Sequence, residues 1–336
     1  MKTLTHFLIA MLFVGSTAHA QLLDSAVLDE LKFRNIGPAF TSGRIADIAI
    51  DSKNQNIMYA AVGSGGVWKT TNAGVTWAPI FDHQKSYSIG CVTIDPNNHN
   101  RIWVGTGENI GGRHVGFGDG IYLSLDAGKT WKNMGLIDSE HISKIIVHPT
   151  NSKIIWVAAQ GPLWSSGGER GLYQSKDGGK TWSKKLGGNE WTGVTDIVMD
   201  PNNPDLLYAA TWQRHRTVAA LLDGGPGSGL HRSFDGGATW EKLGAGLPTS
   251  NIGKSGLAIS PFNTNTIYAA IETDRKKGGL YISHDQGSSW SKQSSMVSGG
   301  TGPHYYQELY ADPHKEGRIY LVSYRTFVSN DHGKTY

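Results

Sequence analysis

The chain has 336 residues, one cysteine, a formal net charge of +3, 44 glycines and 11 tryptophans. The small charge is spread along the sequence without a basic stripe or a known nucleic-acid motif, which argues against a nucleic-acid partner. Cys91 lies in an apolar run and is expected to be a buried, unreactive thiol. With one cysteine no internal disulfide can form, so packing and strand pairing must hold the fold together.

Residues 1–20 have the pattern of a cleaved signal peptide. A lysine precedes an apolar run over residues 7–14, and Ala18-His19-Ala20 forms an A-x-A cleavage site before Gln21. The apolar run is too short to span a bilayer, and no second run follows it. We therefore expect a secreted or periplasmic bacterial protein without a membrane span, whose mature part begins near Gln21.

An eight-residue pattern, Ser/Thr-x-Asp-x-Gly-x-x-aromatic, occurs six times at intervals of roughly 50 residues. Its hydroxyl and carboxylate oxygens can accept hydrogen bonds from backbone N–H groups in a tight turn, and its glycine permits a positive φ. Because the acidic residue recurs, we predict a structural role for it rather than catalysis. The residues are Asn72, which replaces the acid in the first copy, Asp126, Asp177, Asp235, Asp285 and Asp331.

The segments between these boxes repeat the same order of strands. An alternating apolar run is followed by a short aromatic strand such as Ile102-Trp103-Val104, then by a third strand that enters the box. The box aromatic opens a fourth strand. Four antiparallel strands per repeat predict an all-β fold, a β-propeller, because a single blade cannot bury both of its faces. We predict a propeller over residues 21–336, with blades near 44–80, 88–134, 141–186, 193–243, 254–293 and 304–336.

The two ends of the repeat region do not match each other. Residues 33–37 align with Trp131–Gly135 and therefore resemble a closing fourth strand that has no blade of its own. The sixth box stops at Tyr336, where its fourth strand should begin, so the sixth blade is incomplete. Two interpretations stay open: a ring of six blades, or an N-terminal fragment of a protein with seven or more blades and further C-terminal domains. We favour the fragment.

The repeats resemble the Asp-box (BNR) repeat proteins over residues 33–336. Within this group the chain is similar to long secreted bacterial proteins described as glycosyl hydrolases or sortilin N-terminal-like proteins. The resemblance implies a multi-blade propeller followed by further domains. Photosystem II assembly factors share the repeat, so the repeat alone does not select a function. The similarity is carried by the stretches 105–109 (GTGEN), 118–120 (GDG), 159–164 (AQGPLW) and 223–229 (DGGPGSG).

The resemblance to xyloglucan-active hydrolases can be followed at one position. Those enzymes carry a catalytic aspartate in the first blade, just before a Gly-Gly pair that leads into the third strand. In this chain Gly63 occupies the matching position. The resemblance therefore implies that one of the two carboxylates needed for hydrolysis is missing.

Function is expected at one end of the propeller. The loops between second and third strands, and those between blades, lie at the end opposite the box turns. They are the longer loops and differ most from one another in residue type; we call this end the variable face. Its candidate catalytic carboxylates are Glu108, Asp119 and Glu190. Aromatic and polar side chains together suit sugar or peptide recognition. The candidate ligand-binding residues are Arg44, Arg113, His114, Trp164, Trp212, Arg214, His215, His304, Tyr305 and Tyr306.

Two functions of different classes follow. The first is a propeller that recognises a glycan or protein ligand on the variable face without catalysis, since no catalytic pair is recognisable. The alternative is a glycoside hydrolase that acts on polysaccharide with a carboxylate pair on the same face. No cofactor is expected, and no metal site is expected because the histidines do not fall at a metal-ligand spacing.

Overall fold

The structure, a computed structural model, describes residues 43–273, 277–296, 306–323 and 325–336. It is an all-β propeller of six antiparallel sheets, which confirms the predicted fold class. Within those ranges the helical content is one 3₁₀ turn, Ile137–Ser139. The first strands of successive blades lie next to one another around the axis. The segments predicted as a signal peptide (1–20) and as a closing strand (33–37) lie outside the described residues.

Five of the blades have four strands and the sixth has three described strands. A short hairpin of two further strands, β15 and β16, extends the loop before the third strand of blade 4. From blade 1 to blade 6 the strands are β1 (Ile45–Ile50), β2 (Met58–Val62), β3 (Gly66–Thr70), β4 (Ala78–Pro79); β5 (Ile89–Ile94), β6 (Ile102–Thr106), β7 (Ile121–Ser124), β8 (Lys132–Asn133); β9 (Ile142–His148), β10 (Asn151–Ala159), β11 (Gly171–Ser175), β12 (Ser183–Leu186); β13 (Thr192–Met199), β14 (Leu207–Gln213), β15 (His215–Arg216), β16 (Leu221–Leu222), β17 (Gly229–Ser233), β18 (Glu241–Lys242); β19 (Ser255–Ile259), β20 (Ile267–Ile271), β21 (Gly279–Ser283), β22 (Ser291–Ser294); β23 (Glu308–Ala311), β24 (Ile319–Val322) and β25 (Thr326–Ser329).

The hydrophobic core is divided into clusters that lie between neighbouring blades. The cluster between blades 1 and 2, for example, joins Tyr59 and Val67 to Ile102 and Tyr122. Similar clusters join each later pair of blades. Cys91 is 1% exposed within the cluster between blades 2 and 3, and burial raises the pKa of its thiol well above the ordinary value. The stability of each blade therefore depends on its neighbours.

The six box turns share one hydrogen-bond pattern. In the fourth box, Asp235 Oδ1 accepts from the Ser233 hydroxyl at 2.7 Å and from the Thr239 N–H at 2.8 Å, while Oδ2 accepts from the Thr239 hydroxyl at 2.6 Å. The Ser233 hydroxyl oxygen accepts in turn from the Gly237 N–H at 2.9 Å. These bonds lower the pKa of Asp235 to about 2, the largest cause being the bond from Thr239. In the first box Asn72 makes the corresponding bonds to Thr70 and Thr76.

The second to sixth box turns each receive an aromatic side chain from the preceding blade. The Tyr59 hydroxyl, on β2, donates to the Ala127 carbonyl in the second box at 3.2 Å. The Tyr208 hydroxyl, on β14, donates in the same way to the Gln286 carbonyl in the fifth box at 3.1 Å. Trp103 packs on the third box, where a Cβ added at Gly179 would lie 2.5 Å from its ring. The box glycine is therefore needed for its positive φ and for the close approach of this ring.

We expect Asp235→Ala to lower the melting temperature at pH 7 by roughly 2–4 °C, because the turn loses three hydrogen bonds. Asp235→Asn should cost less than half as much, since Asn72 shows that an amide can serve in the same turn. The aspartate contribution is present above its ordinary pKa and is lost as the pH falls through about 2, because the folded pKa is depressed. Calorimetry of the three proteins at pH 7 and pH 3 checks this; equal losses in both variants would contradict it.

Four charged residues meet at one level of the propeller axis. Asp47, Lys144, Asp196 and Glu308 occupy the same register position on the inner strands of blades 1, 3, 4 and 6. Lys144 Nζ lies 3.9 Å from Asp196 Oδ1 and 3.8 Å from Glu308 Oε2. Burial raises the pKa of Asp196 to about 6. Burial opposes the charge of Lys144, but the surrounding acidic groups outweigh it and raise its pKa. The lysine thus offsets repulsion among three carboxylates.

Replacing Lys144 with Met should therefore destabilise the protein by about 2 kcal/mol at pH 8, because the carboxylates lose their counter-charge. This loss of stability should become smaller as the pH falls through about 6. Asp47 and Asp196 have raised pKa values in the folded protein, so they bind protons more readily when folded, and protonation then favours folding. Urea unfolding at pH 8 and pH 5.5 measures this. The exposed Lys180→Met variant is the control, and a deficit for Lys144→Met that is independent of pH would contradict the account.

Candidate functional site

The variable face is organised around one loop of blade 2. Residues 107–112, which follow β6, are all buried, and we call them the axial loop. Gly107 begins it with a φ of 81°, and a Cβ there would lie 1.7 Å from the Glu140 carbonyl oxygen. Only glycine can make this turn. The loop consequently leaves the edge of blade 2 and crosses toward blades 3 to 6.

The backbone carbonyls of the axial loop accept hydrogen bonds from three other blades. The donors are side chains of blades 3, 4 and 5: His141 Nδ1 to the Glu108 carbonyl at 2.8 Å, Lys254 Nζ to Asn109 at 2.9 Å, Arg214 to Ile110 at 3.0 Å and Arg216 to Gly111 at 3.0 Å. Burial, and then Arg214, lowers the pKa of His141 well below its usual range, so this imidazole is neutral and donates from Nδ1. The loop is thereby held as a rigid floor of the variable face.

The Glu108 side chain lies where blades 1, 2 and 6 meet. Its Oε1 accepts from Arg44 Nε at 2.5 Å and from the Tyr306 hydroxyl at 2.6 Å, and its Oε2 accepts from Arg44 Nη2 at 2.6 Å. The Glu108 side chain is fully buried, whereas that of Arg44 is 25% exposed. The bond to Glu108 raises the pKa of Arg44 above its ordinary value. Both carboxylate oxygens are therefore already occupied by donors.

The same carboxylate fills the space beside Gly63. A Cβ added at Gly63 would lie 2.6 Å from Glu108 Cδ and 2.7 Å from its Oε1. The position at which the xyloglucanase resemblance implies a missing aspartate is thus adjacent to a glutamate contributed by the next blade. A side chain at position 63 could not coexist with Glu108 in this arrangement.

The other two candidate carboxylates, Asp119 and Glu190, lie in environments that differ from that of Glu108. Asp119 accepts the Tyr122 hydroxyl at 2.7 Å, and its second oxygen is buried without a hydrogen bond. Glu190 is exposed on the loop between blades 3 and 4. The structure describes no hydrogen bond or ion pair that joins Asp119, Glu190 and Glu108 to one another.

The candidate ligand-binding residues divide into surface groups and buried supports. Trp164 is 44% exposed, and Arg113 and His114 are exposed on the outer part of the blade 2 loop. His215 packs against Trp191 with ring centroids 4.0 Å apart. Trp212 and Arg214, by contrast, are each 1% exposed and lie beneath the face, and Tyr306 is also buried. His304 and Tyr305 lie outside the described residues.

Two acidic residues of this face did not stand out in the sequence. Asp223 follows the β15–β16 hairpin of blade 4, and Glu272 follows β20 of blade 5. Burial raises the pKa of Asp223 to about 6, and burial together with Asp223 raises that of Glu272 to about 8. Asp223 lies in the Gly-rich stretch 223–229, which was the available signal for it; nothing in the sequence around Glu272 marks it.

Neither a metal centre nor a membrane helix is found in the described parts of the chain. No group of three or more His, Cys, Asp or Glu residues there could hold a metal ion. No helix among those residues is long and apolar enough to cross a membrane.

The fold and its box turns define the class: this is an Asp-box β-propeller. The Sortilin-Vps10 family, described as "Sortilin, neurotensin receptor 3", matches residues 65–193 and 119–276. These overlapping matches cover more than half of the chain, so the chain belongs to this family.

Proteins with sequences similar to this chain include xyloglucanases. A xyloglucanase from a Paenibacillus species is 23% identical over 366 residues, covering 97% of this chain and 34% of the relative. Xyloglucanase Xgh74A from Acetivibrio thermocellus is 26% identical over 239 residues, covering 58% of this chain and 25% of the relative. The chain thus spans about a third or less of the length of these curated relatives.

Solved structures show the same fold. An ancestral GH74 enzyme superposes with a TM-score of 0.61 at 21% identity, covering 87% of this chain and 37% of that protein. YCF48 from Cyanidioschyzon merolae superposes with a TM-score of 0.55 at 15% identity, covering 88% of this chain and 84% of that protein. At these identities the likeness shows a shared architecture.

We expect Glu108→Ala to destabilise the protein by about 3–5 kcal/mol, because it leaves the Arg44 guanidinium and the Tyr306 hydroxyl without their shared acceptor. Tyr306→Phe removes only one of these bonds and should cost about 1 kcal/mol. Urea unfolding measures both. Glu190→Gln, at an exposed glutamate, is the control and should stay within about 0.5 kcal/mol of wild type. Wild-type stability for Glu108→Ala would show that the buried ion pair is not structural.

Proposed function

We propose that this chain is the propeller of a polysaccharide-active protein of the glycoside hydrolase type, which holds a glycan on its variable face. The observation that carries the proposal is the similarity to a xyloglucanase along 97% of this chain. Because the chain corresponds to about a third of that enzyme, hydrolysis is proposed for the protein as a whole and glycan binding for the face described here.

The surface chemistry of the face supports this proposal. Trp164 presents a half-exposed indole, and the Trp191–His215 pair adds a second flat surface on the neighbouring blade. Apolar ring faces of this kind stack on the C–H faces of sugars, while polar groups such as those of Arg113 and His114 orient hydroxyls. The buried axial loop beneath them keeps the positions of these groups fixed.

Hydrolysis would require one carboxylic acid that protonates the glycosidic oxygen and one carboxylate that acts on the sugar or on water. Glu108 is poorly suited to either step because Arg44 and Tyr306 occupy both of its oxygens. Asp119 and Glu190 stay candidates, and the carboxyl groups of Asp223 and Glu272 join them.

A second function is a propeller that binds a glycan or a protein segment without cleaving it. The occupied state of Glu108 favours this alternative, because it removes the foremost catalytic candidate from reaction chemistry. The two functions differ in a single measurable respect, which is the release of reducing ends from a glycan that the face binds.

The test uses the whole chain with soluble xyloglucan in affinity gel electrophoresis and in a reducing-end assay. We expect retardation by xyloglucan, weakened about 5–10-fold in Trp164→Ala, since one stacked aromatic contributes about 1 kcal/mol. Trp77→Ala is the matched control: Trp77 is similarly exposed at 37% but lies in a box turn at the opposite end. Retardation with reducing ends supports the hydrolase, and retardation without them supports the binding alternative. Absence of both would overturn the proposal.

A further inference from the structure

Blade 4 differs from its neighbours at the end of its fourth strand. In blades 2, 3 and 5 a backbone carbonyl at this end lies against the glycine at the start of the third strand, where a Cβ would clash with the carbonyl oxygen. The glycine and carbonyl residues, with the Cβ–oxygen distances, are Gly120 and Gly135 (2.2 Å), Gly171 and Leu186 (2.4 Å), and Gly279 and Ser294 (2.0 Å). At Gly229, which begins β17 in blade 4, the three nearest atoms instead belong to the side chains of Lys242 and His231.

A cavity of about 550 Å³ lies beside Gly229. Strand β18 has two residues, whereas β12 and β22 have four, and after β18 the chain continues as the loop 244–252. The cavity lies between this loop and the Gly-rich stretch 223–229, and it is lined by residues within 225–230, 242–244 and 247–252. The Gly225 N–H, which donates to the Ile252 carbonyl at 3.3 Å, joins the two walls. The volume of the cavity falls within the range of small-molecule sites.

The base of the cavity is apolar and its rim reaches solvent. Leu230, Leu243 and Ile252 line it and belong to the hydrophobic cluster between blades 4 and 5, against which Leu247 also packs. An apolar group placed on these side chains would leave water without displacing any of their hydrogen bonds, since they have none. Gly244, another lining residue, is exposed, and a Cβ added there would meet no atom within 4 Å. A ligand therefore has both room and an entry path.

One cation lies at this cavity. Among the described residues that line it, Lys242 alone is charged. Its Nζ would be 3.3 Å from a Cβ at Gly229, and its contact with the Pro226 carbonyl is 3.5 Å, the outer limit of a hydrogen bond. The adjacent His231 is neutral at pH 7, because burial lowers its pKa to about 4. The charge of the lining is therefore positive, and it favours an anionic group over a neutral or cationic one.

We propose that this cavity binds a small molecule that has an apolar body and a carboxylate. The carboxylate pairs with Lys242, and the apolar body lies on Leu243 and Leu247. No aromatic side chain that could stack on a sugar is found among the described residues that line the cavity. None of the lining residues is one of the glycan-binding groups proposed above, so this site and the proposed function can fail independently of each other.

Binding of phenylbutyrate to the whole chain tests the proposal, followed by calorimetry and by NMR of methyl-labelled leucines. We expect phenylbutyrate to shift the methyl resonances of Leu243 and Leu247. It should bind at least about 5-fold more tightly than phenylbutyramide and phenylbutylamine, which have the same apolar body but are neutral and cationic. Acetate lacks the apolar body and should bind at least about 10-fold more weakly than phenylbutyrate.

Lys242→Met removes the charge and keeps a side chain of similar length. It should weaken phenylbutyrate about 5-fold or more while leaving phenylbutyramide within about 2-fold. Lys184→Met is the matched control: Lys184 pairs with Tyr173 in blade 3 as Lys242 pairs with His231 in blade 4, but there the Leu186 carbonyl lies against the glycine. This control should bind phenylbutyrate as wild type does. Both lysines are exposed, so both melting temperatures should stay within about 1 °C of wild type.

Three results would overturn the inference. The first is that phenylbutyrate leaves the Leu243 and Leu247 resonances unchanged, which would mean that the cavity holds only water. The second is equal affinity for phenylbutyrate and phenylbutyramide, or equal losses in Lys242→Met and Lys184→Met, which would remove the role of the charge. The third is a loss of binding in Lys242→Met together with a melting temperature several degrees lower, which would make Lys242 structural.

Discussion

The contact between an aromatic side chain of one blade and the box turn of the next is the constraint on which the propeller depends. A lone four-stranded blade leaves both faces exposed, so it needs a neighbour held at a fixed angle. Tyr59, Trp103 and Tyr208 supply this contact from the second strand of their blades. The two tyrosine hydroxyls donate to backbone carbonyls of the turn, the Trp103 ring packs on its glycine, and the Asp-box bonds fix the conformation of the turn. The box is thus both a local turn and a joint between blades.

The contacts between blades at the box turns leave the loops at the opposite end of the molecule free to differ in length and residue type. Because the box turns carry the contacts that set blade spacing, the loops of the variable face can differ without disturbing the ring. Within the axial loop, the backbone carbonyls accept hydrogen bonds from three cationic side chains and an imidazole of blades 3 to 5. The peptide oxygens of this loop accept hydrogen bonds from those side chains, so the bonds do not use the acidic side chains nearby.

Two buried carboxylates on this face differ in their hydrogen-bond partners. Glu108 is saturated by Arg44 and Tyr306, and its position beside Gly63 makes it part of the packing between blades 1, 2 and 6. Asp223 is surrounded by cations that bond elsewhere, so its charge is tolerated but its oxygens stay vacant. The first arrangement stabilises the free protein, whereas the second leaves a buried carboxylate without a hydrogen-bond donor. Burial alone therefore does not describe the state of these two acids; their hydrogen-bond partners distinguish them.

The sequence by itself determined the all-β propeller, the six box turns and the end of the molecule where function is expected, because each of these follows from local spacing and turn chemistry. It also named Glu108, Arg44 and Tyr306, but on three separate loops. Only the tertiary structure decided that these three bond to one another, that Trp212 and Arg214 lie beneath the surface rather than on it, and that Asp223 meets Glu272. The physical reason is that burial and hydrogen bonds across blades depend on how the blades assemble around the axis. This assembly brings together residues up to about 200 positions apart, and such pairs produce no repeating pattern in the sequence.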